Sequence, residues 1–358
     1  MKKVCLIDFD MSVRGGVEQV TAMLAKALCD SFEVHLLSLC CEGELAYELD
    51  PRIYYQTIFK NTFRLHKMQQ KAVPILRDYF IQHDISAAII QGNYAAFVSA
   101  PVRFFSKTKL IFCDHGALLN QWHQKDIVVI RLIAAMLCHR VVTLTDQSRK
   151  DYLRKFHLCK NKVRCIYNWI DMSVPHSERY NTESKRIVSV GRFGKEKGFD
   201  MLVKAFAPVA QRHLDWCLDL FGDGEMMPTV QQLVEEYHLE QQVNLLGMRT
   251  DLAERYRDYS MYVLPSYREG MPLVLLEAKA NRLPIVSFDI MTGPKEIVRD
   301  HVDGLLVPPY DLDALGNAIC QLIENPDLRM KMSCRSQENI EKFSKEKILE
   351  QWKQLIEE

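Results

Sequence analysis

Short apolar runs alternate with helix-spaced apolar positions along nearly the whole of this 358-residue chain. In the first half this predicts strands over residues 4–8, 34–39, 87–91, 110–113 and 141–144, and helices over 17–28, 71–83, 126–138 and 146–156. Val17, Val20, Leu24 and Leu28 show the helical spacing, all on one face. Residues 172–185 are polar and read as a linker. The alternation then restarts, with strands over 187–190, 216–221, 243–246, 261–264 and 284–287 and helices over 199–212, 226–238, 251–257 and 272–281. Short continuous apolar strands separated by helices build parallel sheets covered on both faces. The expected class is therefore α/β, with two doubly wound parallel-sheet domains at 1–172 and 185–340. In the tail, 341–358, Phe343, Ile348, Leu349, Trp352 and Leu355 need a surface to cover, and the tail is expected to pack back on the first domain.

Composition narrows the class. A 48% apolar fraction can bury two ordinary cores, and 26% charged residues suit a soluble chain. The total charge is zero, which argues against a nucleic-acid binder. Residues 1–175 carry 23 basic and 16 acidic side chains, a net +7 balanced by −7 in the remainder. A basic first half suits an anionic lipid surface or a phosphorylated acceptor, or is ordinary variation between domains. Eleven cysteines lack metal-ligand spacing, and Cys5, Cys113, Cys138, Cys217 and Cys320 sit in apolar runs. That is free-thiol usage, which points to a reducing, cytoplasmic setting, and no metal site is expected. Met1-Lys2-Lys3 leads straight into a strand followed by Asp8 and Asp10, unlike a signal peptide. The greasiest stretch, 127–138, is interrupted by Arg131 and falls short of the roughly 20 residues a bilayer span needs. Any membrane contact is expected to be peripheral.

Four loops carry candidate chemistry. Arg14-Gly15-Gly16-Val17-Glu18 opens the first helix, where glycines admit a ligand to the backbone and a helix N-terminus favours anions; a plain tight turn would look the same. Gly191-Arg192-Phe193-Gly194-Lys195-Glu196-Lys197-Gly198 follows a buried strand, and its Arg and Lys could clamp a diphosphate or form a solvated basic turn. Phe221-Gly222-Asp223-Gly224-Glu225 is a glycine turn that leaves room for a nucleotide or sugar. The most informative segment is Pro265-Ser266-Tyr267-Arg268-Glu269-Gly270-Met271-Pro272-Leu273-Val274-Leu275-Leu276-Glu277-Ala278. Gly270 permits a tight turn and Pro272 suits a helix start. The backbone N–H groups of Met271, Leu273 and Val274 then form an anion site. Glu277 lies roughly 9 Å further along the axis than the loop that holds Glu269. Its apolar neighbours Leu275, Leu276 and Ala278 predict that it is buried with a polar partner. A pair of glycosidase carboxylates is a second reading of the two acids.

Together these segments resemble the family 4 retaining glycosyltransferases of the GT-B fold, in which two Rossmann-like domains face a cleft. The resemblance also rests on Asp114-His115-Gly116, Gly293-Pro294-Lys295-Glu296-Ile297-Val298 and Asp303-Gly304-Leu305-Leu306-Val307-Pro308-Pro309, and Glu269 to Glu277 matches the family's Glu-x7-Glu element. It implies a first, acceptor domain and a second, donor-nucleotide domain. It further implies that Glu277 binds ribose hydroxyls, that Glu269 contacts the donor sugar beside the Gly270–Val274 backbone, and that Arg192 and Lys197 clamp the diphosphate. His115 resembles the histidine near the reacting sugar, and Met248 and Arg249 are candidates for base contacts, with Gly15, Gly16 and Gly222 lining the donor. The implied reaction moves a hexose or N-acetylhexosamine from a nucleotide diphosphate sugar, a UDP-sugar by preference, with retention and with neither metal nor cofactor. The implied acceptor is a glycan or polyprenyl-diphosphate-linked glycan of capsular, lipopolysaccharide or related assembly.

The chain departs from the family pattern at Trp169 after Asn168, at Met271-Pro272, and at Asn281-Arg282-Leu283-Pro284, which lacks the usual glycine. Met271-Pro272 lies beside the expected sugar and puts the sugar's identity in question. Residues 60–77 hold Lys60, Arg64, Lys67, Lys71 and Arg77 without an acid, among Phe63, Leu65, Met68, Val73, Ile75 and Leu76. They could dock on anionic lipid or be a solvated basic helix, and Pro74 argues against one continuous helix. A sugar-nucleotide epimerase, a phosphorylase or a non-catalytic sugar-nucleotide binder would share the same architecture.

Overall fold

The computed structural model describes residues 1–170, 180–249 and 251–358. The chain divides into two compact units, Met1–Asn168 with Ile348–Glu358, and Trp169–Lys347. Most of the expected linker, residues 172–179, lies outside the described residues.

The first unit holds seven parallel strands: β1 (Lys3–Asp10), β2 (Glu33–Cys40), β3 (Tyr54–Phe59), β4 (Ile85–Gln91), β5 (Lys109–Asp114), β6 (Arg140–Thr143) and β7 (Val163–Cys165), ordered β3-β2-β1-β4-β5-β6-β7. The second holds β8 (Arg186–Val190), β9 (Cys217–Phe221), β10 (Val243–Leu245), β11 (Met261–Leu264), β12 (Ile285–Phe288) and β13 (Gly304–Val307), ordered β10-β9-β8-β11-β12-β13. Both are doubly wound α/β sheets, as the alternating pattern predicts. Central strands are apolar on both faces because helices cover both: Val4, Leu6, Ile89 and Ile111 are fully buried, as are Ile187, Val188, Val263 and Val286.

Several elements escape the periodicity. Tyr54–Phe59 is a half-exposed edge strand with polar residues among its aromatics, and Val163–Cys165 is a three-residue edge. The helix Asn93–Ser99 is short, and β13 with the helices Leu312–Glu324 and Pro326–Ser336 closes the second unit. One expectation is corrected. Leu65–Gln82 is a single helix that runs through Pro74. Its buried stripe of Met68, Ala72, Leu76, Tyr79 and Phe80 spans both sides of the proline, so packing offsets the lost backbone hydrogen bond. The same stripe turns Met68 and Leu76 into core, while Lys60, Arg64, Lys67 and Lys71 lie on the outer face of 60–77 with Ile75 and several uncharged residues.

The C-terminal helix Lys345–Glu357 buries Ile348, Trp352, Leu355 and Ile356. In the first unit its end is tied by Lys109 Nζ donating to Leu355 O at 2.6 Å and by Arg140 to Glu358 at 2.8 Å. Of the five cysteines in apolar runs, four are buried, and Cys217, at the start of β9, is half-buried.

Candidate functional site

In the strand order 3-2-1-4-5-6, the loops after strands 1 and 4 leave the sheet in opposite directions and open a crevice between them. In the second unit those strands are β8 and β11. Their loops, together with the one after β9, carry most of the residues singled out in the sequence. The loops are knitted by backbone: Gly191 N–H donates to Phe221 O at 3.0 Å, Phe193 N–H to Asp223 O at 2.8 Å, Gly222 N–H to Gly247 O at 2.9 Å, and Tyr267 N–H to Glu196 O at 2.9 Å. Two glycines are required by this approach. Gly222 has φ +132° and a Cβ there would lie 1.8 Å from Gly191 O; Gly198 has φ +67° and a Cβ would lie 2.2 Å from Pro265 O.

This packing sets Lys197, from the β8 loop, against Glu269, from the β11 loop, with Nζ to Oε1 at 2.7 Å. Ser266 Oγ also donates to that carboxylate oxygen at 2.7 Å, and Thr292 Oγ1 donates to Glu269 O at 2.6 Å. The helix Leu273–Ala280 begins immediately after, with Pro272 in the capping position and no side-chain cap on its N-terminus. Met271 and Pro272 are buried, while Leu273 and Val274 are half-buried at the first turn. Glu277, one of the two acids, is half-buried and accepts from the buried Tyr256 OH at 3.0 Å. Burial raises its pKa, and the Tyr256 hydrogen bond lowers it in part. Arg192, on the same loop, has a side chain 62% exposed and pairs with Glu196 at 2.8 Å. Met248 is exposed beyond Gly247, which has φ +65°, and Arg249 is held by Asp251 through two 3.0 Å hydrogen bonds. The arrangement offers an uncapped helix N-terminus and an ammonium for an anion, with two carboxylates for hydroxyls.

In the first unit the corresponding strands are β1 and β4. Gly15 caps the helix Gly16–Leu28 without a side-chain hydrogen bond, and a Cβ at Gly16 would meet nothing within 4 Å. Behind this turn lies Asp8, fully buried, accepting from Thr21 Oγ1 at 2.6 Å. Burial pushes its pKa up to about 6. At the end of β4, Gln91 is buried and its Oε1 lies 2.6 Å from His115 Nε2. His115 follows Asp114, whose carboxylate is ion-paired to the buried Arg131 at 2.8 Å, accepts from Tyr152 OH at 2.6 Å, and accepts from Gly116 N–H at 3.0 Å. A Cβ on Gly116 would fall 2.2 Å from Arg131 Nη2, which explains the glycine. Burial pushes the His115 pKa down to about 4.

Asp8, Gln91, Ser266 and Tyr256 were missed in the sequence. Asp8 and Gln91 carry a readable signal, a polar residue ending an apolar strand, whereas Tyr256 and Ser266 become relevant only through topology. Along 60–77, Lys60, Arg64, Lys67 and Lys71 are exposed. Exposed apolar surface includes Ile75 and Ile81 of the same helix, the neighbouring turn Ala100–Phe104 with Phe105, and the helix Lys125–Leu137. Phe104 and Phe105 are 70% and 58% exposed, and Val129, Ile133 and Met136 share one helix face. Among the described residues, His213, Cys320 and Glu324 place donor atoms within 4.8 Å of one another, and His213 already pairs with Glu324 at 3.3 Å.

Two family models match consecutive stretches: "Glycosyltransferase Family 4" over residues 14–174 and "Glycosyl transferases group 1" over 174–339. The chain is 27% identical to the amylovoran biosynthesis glycosyltransferase AmsD of Erwinia amylovora, across 99% of this chain and 100% of that one. It is 24% identical to the N-acetylgalactosamine-N,N'-diacetylbacillosaminyl-diphospho-undecaprenol 4-alpha-N-acetylgalactosaminyltransferase of Campylobacter jejuni, across 93% and 94%. Among solved structures, Anabaena HepE in complex with UDP and glucose superposes with a TM-score of 0.83 at 18% identity, covering all of both chains.

Proposed function

The chain belongs to the family 4 glycosyltransferases of the GT-B fold, and from that premise we propose that it moves a hexose or N-acetylhexosamine from a UDP-sugar to a glycan or lipid-linked acceptor with retention. The observation that supports this best is the assembly of Lys197, Glu269, Glu277 and the uncapped helix Leu273–Ala280 around the switch point of the second sheet. As the sugar–phosphate bond breaks, negative charge gathers on the leaving diphosphate. The helix N-terminus and Lys197 meet that charge, which is electrostatic stabilisation of the transition state. Glu277 accepts ribose hydroxyls, held in place by Tyr256. Glu269 accepts a sugar hydroxyl and aims Lys197. With retention, the acceptor attacks from the face the diphosphate leaves, and the leaving phosphate takes the acceptor proton. No step calls on a metal or cofactor.

UDP as the leaving group follows the UDP bound in the Anabaena relative, and a lipid-linked acceptor follows the undecaprenol named for the Campylobacter one. The reading assigns the exposed Phe104 and Phe105, with the basic face of the helix Leu65–Gln82, to peripheral contact with an anionic bilayer that carries the acceptor. The test is a panel of UDP-, GDP- and ADP-sugars with undecaprenyl-diphosphate-linked saccharides, read by nucleotide release and by NMR of the new anomeric centre. Acceptor-dependent UDP release giving the donor's anomeric configuration, and abolished by Glu269→Ala, is expected. An inverted linkage would refute retention. Epimerisation of the intact sugar nucleotide without any acceptor would refute transfer.

A further inference from the structure

The histidine in the β5 loop has one neutral partner. Gln91 Oε1 lies 2.6 Å from His115 Nε2, and Gln91 is itself buried at the end of β4. With the amide oxygen on the ring, Nε2 carries the proton and donates; Nδ1 is left with its lone pair and has no partner among the described residues. The Gln91 Nε2 group is likewise buried without a partner, so the amide is held by its contact with the ring and by packing. The charges around the ring are already committed. Asp114, the residue before it on β5, is ion-paired to Arg131 from the helix Lys125–Leu137 and accepts from Tyr152 of the helix Asp146–Lys155. Its carboxylate therefore does little to hold a second proton on the imidazole, and loss of water around the ring outweighs its attraction.

We propose that Gln91 is a positioning residue for glycosyl transfer: it holds His115 as the neutral imidazole protonated at Nε2, so that Nδ1 accepts a hydrogen bond from a sugar hydroxyl and His115 supplies no acid. This rests on the reading that His115 faces the reacting sugar. The tautomer itself does not depend on that reading. A ring locked this way distinguishes a hydroxyl, which can donate to Nδ1, from an ether or deoxy position, which cannot. A carboxylate in place of the amide would reverse the preference, because it would hold the imidazolium and turn Nδ1 into a donor.

The experiment is 15N correlation spectroscopy of the histidine rings in the free, full-length protein, with His115→Asn to assign the signal. In the wild type the His115 ring should stay neutral and protonated at Nε2 down to about pH 5. Gln91→Glu should raise its midpoint above the usual 6.5. Gln91→Met, which keeps the volume, should loosen the tautomer. In turnover, the wild type should show no protonation step between pH 5.5 and 8, whereas Gln91→Glu should lose about tenfold in kcat/KM on the acid side, the worth of one hydrogen bond. A wild-type ring that is protonated on Nδ1 or titrates near 6.5 overturns the proposal, as does a Gln91→Met ring indistinguishable from wild type. If Gln91→Glu shifts the ring but leaves the pH dependence of transfer flat, the positioning role is refuted. The spectra need no substrate, so they stand or fall separately from the transferase reading.

Discussion

The Lys197–Glu269 pair makes a quantitative prediction. The carboxylate is 9% exposed and the lysine 24%, with 2.7 Å between them. At an effective dielectric of about 20, Coulomb's law gives a gross attraction of about 6 kcal/mol at that distance. Desolvation of the two ions offsets most of it, leaving roughly 1–3 kcal/mol net. The two single substitutions should be unequal. Lys197→Met takes the ammonium away from a nearly buried carboxylate to which Ser266 Oγ still donates, and should cost about 2–3 kcal/mol. Glu269→Gln leaves a lysine that can rehydrate, and should cost about 1 kcal/mol. The double variant should lose less than the sum, with a coupling energy of about 1–2 kcal/mol in urea unfolding. UDP titration then separates structure from function. Lys197→Met should weaken UDP about ten- to a hundredfold, with a shallower salt dependence, while Glu269→Gln, which frees the ammonium, should leave UDP within about threefold. Additive stability costs would show that the pair is not energetically linked. Unchanged UDP affinity in Lys197→Met would remove the lysine from the phosphate site.

Three further outcomes follow from the geometry. Gly222→Ala places a Cβ 1.8 Å from Gly191 O at φ +132°; it should cost more than about 3 kcal/mol and weaken UDP binding, and a variant with wild-type melting temperature and UDP affinity would refute the packing argument. Asp8, with its pKa raised from 3.8 to about 6, keeps a proton in the folded state that the unfolded chain has already released. Its stabilising contribution is thus complete below pH 3.8 and lost as pH rises through 6, so relative to wild type Asp8→Asn should gain about 2–3 kcal/mol between pH 4 and 7; parallel stability profiles would contradict this. Phe104→Ser with Phe105→Ser should reduce flotation with anionic vesicles about tenfold or more, and Lys67→Glu with Lys71→Glu should do so mainly at low salt; equal flotation of all variants would exclude this surface as the bilayer seat.

Sheet class and the main strands were legible because buried parallel strands write themselves as apolar runs, and Val4, Ile89 and Val263 leave no other reading. The edges were not, since a strand such as Tyr54–Phe59 buries little and carries the composition of a loop. Pro74 misled for a related reason. Helix propensity is local, whereas the stripe from Met68 to Phe80 is held by the sheet beneath it. At the site, residues bound by local rules were visible: glycines at turns, Pro272 at a helix start, Glu277 as a charge among apolar neighbours. Their partners were not. Tyr256 lies 21 positions from Glu277, and Lys197 lies 72 from Glu269. No local pattern encodes either pairing.

What brings them together is strand order, and the same order occurs in both units with different chemistry on it. At the switch point of the second sheet the loops present the ion pair Lys197–Glu269, and Glu277 with its pKa raised by burial and its Tyr256 hydrogen bond in place. At the switch point of the first sheet the buried groups are damped or paired, although Arg14 stands beside Gly15 and Glu18 in the first turn of the helix Gly16–Leu28. Asp8 is pushed toward its protonated form, Asp114 is committed to Arg131, His115 is neutral on Gln91, and Gly16 offers bare backbone. An ammonium and a helix N-terminus suit a diphosphate, whereas carboxylates and neutral donors and acceptors alike can take hydroxyls. Four of the 23 basic side chains in the first 175 residues, Lys60, Arg64, Lys67 and Lys71, lie exposed together along one stretch. The seat proposed for the diphosphate therefore rests on groups of the second unit alone, and the exposed basic stretch of the first half is a feature of its surface rather than of its strand ends.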